Sequence, residues 1–289
     1  MKIRKAIIPV AGLGTRFLPY TKAVPKEMLP IIDVPAIHYI IEEALSSGIE
    51  SILFITSEGK QSIEEYFSRN HDLEKYLKAG GNSEALAALK KVPYNFKRHS
   101  VIQAEARGLG HAVLHAEDYA GGEPFAVFLP DDLIFHKKPA TKQMTEAYDK
   151  YKMPVIAVER VARNMVSSYG IIRPVRVAER VYNVTGIREK PPVKEAFSNL
   201  GIVGRYILPP SIFGYLKKTK PGAKGEIQLT DALAKLMKEE GLFAYEFEGT
   251  RCDTGNKYDY IVTVMRYAAL QKGIKGKLKK EAKKIFGIK

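Results

Sequence analysis

The amino-acid sequence predicts an α/β fold in which a mostly parallel central sheet is flanked by helices. Two observations predict it: short apolar runs recur along the chain, and the segments between them carry apolar residues at helical spacing. This alternation is typical of strand–helix–strand units, whose right-handed connections join parallel strands and place helices on both faces. Ligands of such sheets bind beyond the carboxyl ends of the strands, so the loops that follow strands are the candidate sites.

The first 160 residues carry most of this alternation. Strands are predicted at 6–10, 51–56, 99–103, 124–129 and 154–159. A helix is predicted over 37–45 because its apolar residues share one helical face, and Gly48 suits its C-terminal end. Further helices are predicted at 58–67, 73–90, 110–119 and 140–151.

The second half of the chain has a different pattern. Strands are predicted at 170–177, 180–188 and 201–208, followed by helices at 210–217, 228–239 and 256–271. We interpret residues 1–271 as a single domain in which the second half extends the same sheet. Residues 272–289 form a lysine-rich tail, and its apolar residues recur at a spacing that predicts an amphipathic basic helix.

The composition limits the possible classes of protein. Lys, Glu or Asp interrupts every apolar run before the ~18 residues that a membrane span needs, so no membrane protein is expected. The lone Cys252 excludes an intramolecular disulfide and fits a reducing compartment, which favours the cytoplasm. The net charge of +14 suggests polyanionic partners, but half of it lies in the tail and the sequence has no nucleic-acid recognition motif. We therefore expect phosphorylated small molecules and no nucleic acid.

The first predicted strand runs into a glycine-rich turn, residues 11–16, with the sequence AGLGTR. Glycine lets backbone N–H groups approach a phosphate without obstruction by a side chain. The turn is not a dinucleotide-binding G-x-G-x-x-G, because Phe17 stands at the last glycine, and it is not a Walker motif. Arg16, Lys22 and Lys26 follow in a proline-stiffened loop, and these residues alone fit a phosphate site and a solvated basic loop equally well.

Acidic residues follow two predicted strands. Asp131 and Asp132 come after the strand at 124–129, and Asp253 lies in the segment RCDTG after a later strand. Most isolated aspartates are loop acids or helix caps. Likewise, a lysine beside an acid, as in Glu189-Lys190, is more often a surface pair than a site.

Several longer segments carry a resemblance to a known family. Residues 11–31, AGLGTRFLPYTKAVPKEMLPI, resemble the signature of the sugar-phosphate nucleotidyltransferases, a family with a Rossmann-like fold that activates sugars with nucleoside triphosphates. The segments KEMLP, QAEARGLGHAV, SNLGIVGRYIL and GEIQLTDAL are most similar to the prokaryotic UTP–glucose-1-phosphate uridylyltransferases. The resemblance runs from about residue 3 to residue 270.

The resemblance implies a Mg²⁺-dependent transfer of UMP from UTP to glucose 1-phosphate, with UDP-glucose and pyrophosphate as products. A phosphate oxygen of the sugar would attack the α-phosphorus in line. Such chemistry needs positioning and charge stabilisation rather than a covalent nucleophile. By resemblance, Arg16 and Lys26 are catalytic cations at the triphosphate, and Lys190 is the cation at the sugar phosphate.

The same resemblance implies which residues hold the metal and the substrates. Asp131 and Asp253 would bind Mg²⁺, which prefers carboxylate oxygens, with Asp132 as the alternative to Asp131. The nucleotide would bind in a part of the domain that spans about 1–160, through Ala11, Gly12, Gly14, Thr15, Gln103 and Gly108. The sugar would bind in the part that spans about 161–271, through Gly170, Glu189, Lys190, Val203 and Gly204.

Other interpretations remain open. One alternative is a thymidylyltransferase, or dual use of UTP and dTTP. The two bases differ by one methyl group, which an apolar pocket discriminates by only ~1–3 kcal/mol. A non-catalytic nucleotide-sensing subunit should have lost charged site residues, but the predicted cations and acids are all present. The hypothesis that the protein binds nucleic acid depends on the lysine-rich tail alone. The resemblance also implies a homodimer or a homotetramer.

Overall fold

The computed structural model describes residues 2–222 and 225–287, and these residues contain thirteen strands. The strands are β1 (Lys5–Pro9), β2 (Pro30–Ile31), β3 (Val34–Pro35), β4 (Ser51–Thr56), β5 (Lys97–Ile102), β6 (Phe125–Phe128), β7 (Asp132–Phe135), β8 (Val155–Arg160), β9 (Gly170–Ala178), β10 (Val181–Glu189), β11 (Leu200–Leu208), β12 (Phe243–Glu246) and β13 (Thr250–Asp253).

The helices pack around these strands. They are α1 (Ala36–Ser46), α2 (Gln61–Tyr66), α3 (His71–Ala79), α4 (Ser83–Leu89), α5 (Leu109–Leu114), α6 (Glu117–Ala120), α7 (Ala140–Tyr151), α8 (Ile212–Lys217), α9 (Leu229–Glu239), α10 (Lys257–Leu270) and α11 (Lys275–Phe286). None of the described helices is long and apolar enough to cross a membrane.

Nine strands form one sheet in the order β5-β4-β1-β6-β11-β8-β12-β10-β9. β5, β4, β1 and β6 are mutually parallel, and β8 is parallel to β12. β11 runs antiparallel between β6 and β8, so those two strands point in the same direction. The prediction of a mostly parallel α/β sheet is confirmed, and β9 to β12 from the second half of the chain join that sheet.

The two faces of the sheet carry separate apolar layers. On one face the layer includes residues of α1, α7 and α10, and on the other it includes residues of α5, α8 and α9. Within α1, Ile37, Ile40 and Ile41 are fully buried, as the helical pattern predicts, and Gly48 has φ 95° just past the end of the helix. The sheet is therefore covered on both sides and open only at its edges and ends.

Two predicted helices were wrong in their continuity. The helix predicted over 73–90 is interrupted after Gly80, because Gly81 has φ 66° and the Asn82 side chain accepts from the backbone N–H of Ala85 to begin α4. The helix predicted over 110–119 consists of α5 and α6, with His115 and the residue after it between them. Predicted strand positions agree with β1, β4, β5, β6, β8, β9, β10 and β11 to within a few residues.

The lysine-rich tail forms α11 over Lys275–Phe286, as its spacing predicts, and no residue of α11 is buried. Ile285 and Phe286 are 74% and 65% exposed. Lys289, the last lysine of the tail, lies outside the described residues. α11 contacts α10, whose Tyr258, Ile261 and Met265 are also exposed.

Candidate active site

The glycine turn after β1 lies at the carboxyl edge of the parallel strands. Gly14 has φ 64°, and its carbonyl accepts a hydrogen bond from the Thr21 hydroxyl at 2.8 Å. The Gly12 carbonyl accepts from the Lys60 ammonium at 2.7 Å. Among the described residues, none accepts a hydrogen bond from the backbone N–H groups of residues 12–14. The turn is thus held by its carbonyls, and its donors are free for an anion.

A cavity of about 320 Å³ opens beside this turn. The predicted residues that line it are Ala11, Gly12, Lys26, Gln103, Gly108 and Asp131. Gly14 and Thr15, also predicted to bind the nucleotide, lie on the turn but not on the wall of this cavity. The cavity therefore joins the ends of β1, β5 and β6, as expected for a ligand site at this edge of the sheet.

At the far end of this cavity, the backbone around Gly108 lies close to the backbone of Ile227. The Gln103 side chain is 6% exposed, and its Nε2 lies 2.8 Å from Nδ1 of His111. Gly108 has φ 92°, and a Cβ atom there would lie 2.9 Å from the carbonyl oxygen of Ile227. Residues 107–110 are held against Ile227 by two hydrogen bonds of 2.8 Å. One runs from the Ile227 N–H to the Arg107 carbonyl and the other from the Gly110 N–H to the Ile227 carbonyl. Only glycine fits at position 108.

A second cavity, of about 510 Å³, shares Leu109 and Leu129 with the first as walls. The predicted residues that line it are Arg16, Gly170, Glu189, Lys190, Val203, Gly204 and Asp253. All five residues predicted to contact the sugar therefore lie on one cavity, although they come from β9, β10, β11 and the loop after β10.

Glycine and backbone strain shape this second cavity. A Cβ at Gly170 would lie 3.1 Å from Oε2 of Glu189, and one at Gly204 would lie 2.5 Å from Oδ2 of Asp132. The Gly204 N–H donates to that same Asp132 oxygen at 2.8 Å, so its donor is used within the protein. Lys190 has φ 42°, a left-handed conformation that a non-glycine residue adopts at a cost of order 1–3 kcal/mol. Ile32, Lys152 and Arg180 also have positive φ and line neither cavity, so the strain at Lys190 does not identify the site by itself.

The carboxylates of Asp131 and Asp253 approach one point between the two cavities. The position that a Cβ on Gly255 would occupy lies 3.3 Å from Oδ2 of Asp131 and 2.9 Å from Oδ1 of Asp253. Two carboxylates that approach one point fit Mg²⁺, which binds one or two carboxylates and fills its other positions with substrate oxygens and water. No cluster of three or more His, Cys, Asp and Glu that could hold a metal occurs among residues 2–222 and 225–287.

Lys26 contacts Asp131 directly, and Arg16 lies beside the loop that follows Asp253. Nζ of Lys26 is 2.7 Å from Oδ2 of Asp131, and Nη1 of Arg16 donates to the Gly255 carbonyl at 3.2 Å. Burial alone would raise the pKa of Asp131, but the charge and hydrogen bond of Lys26 outweigh it and hold that pKa below its ordinary value. Burial would lower the pKa of Lys26, and the charge of Asp131 reverses this and raises it. Both groups are therefore held in their charged forms.

Asp132, the alternative metal ligand, is already engaged. Its Oδ2 accepts from Gly204, and its Oδ1 lies 2.5 Å from the Arg251 guanidinium. Arg251 also contacts Asp253 at 2.9 Å and Glu159 at 3.1 Å. Burial raises the pKa of Asp253, Arg251 opposes the rise and Asp132 adds to it. Asp132 is therefore part of the surrounding ion-pair network. Asp253 belongs to the same network, because its Oδ1 accepts from the Gly255 N–H at 2.5 Å and its Oδ2 accepts from Arg251 at 2.9 Å.

Sequence reasoning missed several residues of this region. Arg251 is two residues before Asp253 on β13, so strand alternation puts both side chains on one face and could have revealed it. Lys60 pairs with the buried Glu27 at 2.9 Å and reaches the glycine turn, but nothing in its local sequence marks it. Thr230 was not missed, because it belongs to the segment GEIQLTDAL that carries the family resemblance. It lines the second cavity with a buried hydroxyl that has no hydrogen-bond partner among the described residues.

Comparison with known proteins gives consistent similarities. Residues 5–269 match the family model described as nucleotidyl transferase, a span that includes every residue lining the two cavities. The chain is 47% identical over 277 residues to the UTP–glucose-1-phosphate uridylyltransferase of Bacillus subtilis strain 168, covering 96% of this chain and 95% of that protein.

Solved structures give the same similarity. A UDP-glucose pyrophosphorylase complexed with UDP-glucose has a TM-score of 0.85 and 43% identity, and the match covers 93% of this chain and 100% of that one. The UTP-bound UGPase from Acinetobacter baumannii has a TM-score of 0.89 and 39% identity, covering 99% of this chain and 100% of that one.

Proposed function

The chain belongs to the nucleotidyl transferase family, and we propose that it transfers UMP from UTP to glucose 1-phosphate, giving UDP-glucose and pyrophosphate. A phosphate oxygen of glucose 1-phosphate attacks the α-phosphorus of UTP. A new P–O bond forms as the bond from that phosphorus to the pyrophosphate oxygen breaks, with no covalent enzyme intermediate. The enzyme's task is to bring two polyanions together in line and to offset their repulsion.

One observation carries this proposal: each of the two adjoining cavities contributes one carboxylate to a common point. Asp131 lines the first cavity, Asp253 lines the second, and both approach the position beside Gly255. A nucleotide in the first cavity and a sugar phosphate in the second would meet there. The free N–H groups of the turn and the cations Arg16 and Lys26 lie beside that junction.

Each cation has a distinct task in this reaction. Arg16 and Lys26 offset the charge of the triphosphate, and Lys190 neutralises the phosphate of the sugar so that its oxygen can approach the α-phosphorus. A unit-charge pair at ~4 Å with an effective dielectric near 20 contributes about 4 kcal/mol, so one such cation is kinetically decisive. Glu189 accepts hydrogen bonds from sugar hydroxyls, supported by its place beside Gly170.

Asp131 and Asp253 would hold Mg²⁺, which when bound would supply positive charge to the phosphate oxygens of both substrates. The charges of Lys26 and Arg251 lie against these carboxylates and partly balance them. Gln103 and Gly108 contact uracil, because a side-chain amide can pair with the adjacent donor and acceptor of that base. We assign the nucleotide to residues of about 1–160 and the sugar to residues of about 161–271.

We further propose that the enzyme is a cytoplasmic homodimer or homotetramer. The support for self-association is the exposed apolar surface formed by Tyr258, Ile261 and Met265 of α10 together with Ile285 and Phe286 of α11. These side chains lie on two helices that contact each other, and exposed apolar side chains that cluster in this way commonly mark a protein interface.

The test is pyrophosphate release across a grid of nucleoside triphosphates and sugar 1-phosphates, with and without Mg²⁺. UTP with glucose 1-phosphate is expected to give the highest kcat/KM, with dTTP as the closest competitor because its base differs from uracil by one methyl group. A higher kcat/KM with ATP or GTP would contradict the assignment of Gln103 and Gly108 to the base. Undiminished turnover in excess EDTA would contradict the two-aspartate metal site.

A further inference from the structure

Arg205 of β11 is a charged side chain at the centre of the molecule. It is 1% exposed and is the largest fully buried side chain among the described residues. All five of its N–H groups donate hydrogen bonds: Nε and Nη2 to Glu43 of α1 at 3.1 and 2.7 Å, and the others to three backbone carbonyls. Neither of the two cavities is lined by Arg205. Any action of Arg205 on the site therefore passes through other residues.

The carbonyls that Arg205 holds flank Asp131 on both sides. Its Nη1 donates to the carbonyl of Leu129 at 3.2 Å, and its Nη2 donates to the carbonyl of Asp132 at 2.7 Å. The third carbonyl is that of Gly204, which also accepts from the Leu129 N–H at 2.8 Å. The backbone before and after Asp131 is thus tied to one planar guanidinium.

The other proposed metal ligand is attached to the same loop. The Thr254 N–H donates to the Asp131 carbonyl at 2.8 Å, and Asp253 is paired with Asp132 in the β7–β13 ladder. The loop at 129–132 therefore supports both carboxylates, and its conformation determines the distance between them. Arg205 donates to two carbonyls of that loop without lining either cavity.

Burying an arginine in a core costs free energy, because it removes the hydration of the charged guanidinium. Apolar residues of similar volume in place of a buried ion pair are often as stabilising or more so. Glu43 also accepts from the backbone N–H and the hydroxyl of Thr141, at 3.1 and 2.8 Å, where α7 begins. The pair could thus serve stability alone, by joining α1 to α7, or serve the geometry of the site.

We propose that Arg205 is a positioning residue that fixes the backbone on both sides of Asp131, and with it the spacing between the carboxylates of Asp131 and Asp253. A flexible or apolar side chain cannot do this, because only the planar guanidinium presents donors in a rigid fork to two carbonyls and a carboxylate together. The inference rests on the proposed function, since it concerns the two carboxylates that are proposed to bind the metal in that reaction.

The test replaces the ion pair without emptying the core. In the double variant Arg205→Met, Glu43→Gln, the volume is nearly kept, no charge is left unpaired, and the amide carbonyl introduced at position 43 can still accept from Thr141. Binding of Mn²⁺ is measured by electron paramagnetic resonance in the presence of UDP-glucose, and folding is followed by thermal unfolding. We expect the folded variant to bind Mn²⁺ about tenfold or more weakly, as is typical when residues behind metal ligands are lost.

The matched control is Arg69→Met, Glu74→Gln, the same substitutions in an exposed pair whose two hydrogen bonds are 2.9 and 2.8 Å long. It should leave Mn²⁺ binding unchanged. If the double variant does not fold, Arg205→Lys decides, because lysine keeps the charge opposite Glu43 but cannot reach both carbonyls. Its Mn²⁺ affinity should also fall about tenfold.

A folded double variant, or a folded Arg205→Lys variant, that binds Mn²⁺ within about twofold of the unaltered protein would overturn the inference. That result would leave the proposed function intact. If instead the unaltered protein binds no Mn²⁺ with UDP-glucose, or releases no pyrophosphate from UTP and glucose 1-phosphate, the proposed function fails and the inference fails with it.

Discussion

At the scale of single residues, opposite charges are paired where the two cavities meet. Lys26 contacts Asp131, Arg251 contacts Asp132, and the same guanidinium contacts Asp253. Each pair is more than two-thirds buried, so solvent screens it weakly and removal of one charge is felt strongly by its partner. Substitution at one of these residues therefore tests electrostatics more than packing.

Asp131→Asn and Asp253→Asn should each lower kcat by about a thousandfold at saturating substrate, because each removes one charge worth about 4 kcal/mol at ~4 Å while nearly keeping the shape. Steady-state kinetics at several Mg²⁺ concentrations, with circular dichroism to verify folding, provides the measurement. Asp149→Asn, on the exposed side of α7, is the control, and its kcat should be near that of the unaltered protein. Near-normal rates for both site variants at saturating Mg²⁺ would mean that other residues hold the metal.

At the scale of elements, the long buried strands could be predicted from sequence, whereas the short elements that complete the site could not. β1, β4 and β6 are apolar runs between turn residues, and that pattern is local. β13 is four residues with the sequence TRCD and β7 is DLIF; each is a strand only because it pairs with the other. Arg205 and Glu43 are 162 residues apart, so no local signal connects them.

The contact of α5 with the segment before α9 gives a prediction at this scale. Gly108→Ala would place a Cβ atom 2.9 Å from the Ile227 carbonyl at a φ of 92°, so the two segments must separate. We expect kcat/KM for UTP to fall about tenfold or more, an estimate based on the sensitivity of bound geometry to ~1 Å displacements. Gly81→Ala is the matched control, since it has φ 66° and nothing within 4 Å.

The control separates two causes of any loss. Gly81→Ala has the backbone strain without the clash, so it should destabilise the fold by about 1 kcal/mol and leave kcat/KM unchanged. Equal kcat/KM values for the two alanine variants would show that the close approach at Gly108 does not shape the nucleotide cavity.

At the scale of the whole molecule, the catalytic elements and the basic tail are separate parts. Both cavities are lined by residues between Pro9 and Asp259, whereas α11 lies beyond them and has no buried residue. The helical form of the tail could be predicted from its spacing. Its role could not, because the surface it covers lies on α10 and depends on tertiary packing.

Deletion of residues 274–289 should therefore leave kcat near normal and affect thermal stability or assembly. The deletion removes seven lysines and the exposed Ile285 and Phe286, but no residue of either cavity. Steady-state kinetics and light scattering on the shortened chain provide the measurement. A large drop in kcat with an unchanged oligomer would put the tail in or over the active site.

The contact between Lys26 and Asp131 has a thermodynamic consequence. A cation that binds the Asp131 carboxylate competes with Lys26 for it, and a triphosphate that binds Lys26 competes with Asp131. Binding of either ligand therefore frees the group that the other ligand needs, so the two binding equilibria are linked. If Mg²⁺ binds as proposed, reciprocity requires that the factor by which it raises the affinity for UTP equal the factor by which UTP raises the affinity for Mg²⁺. Each ligand would therefore bind more tightly in the presence of the other than it binds alone.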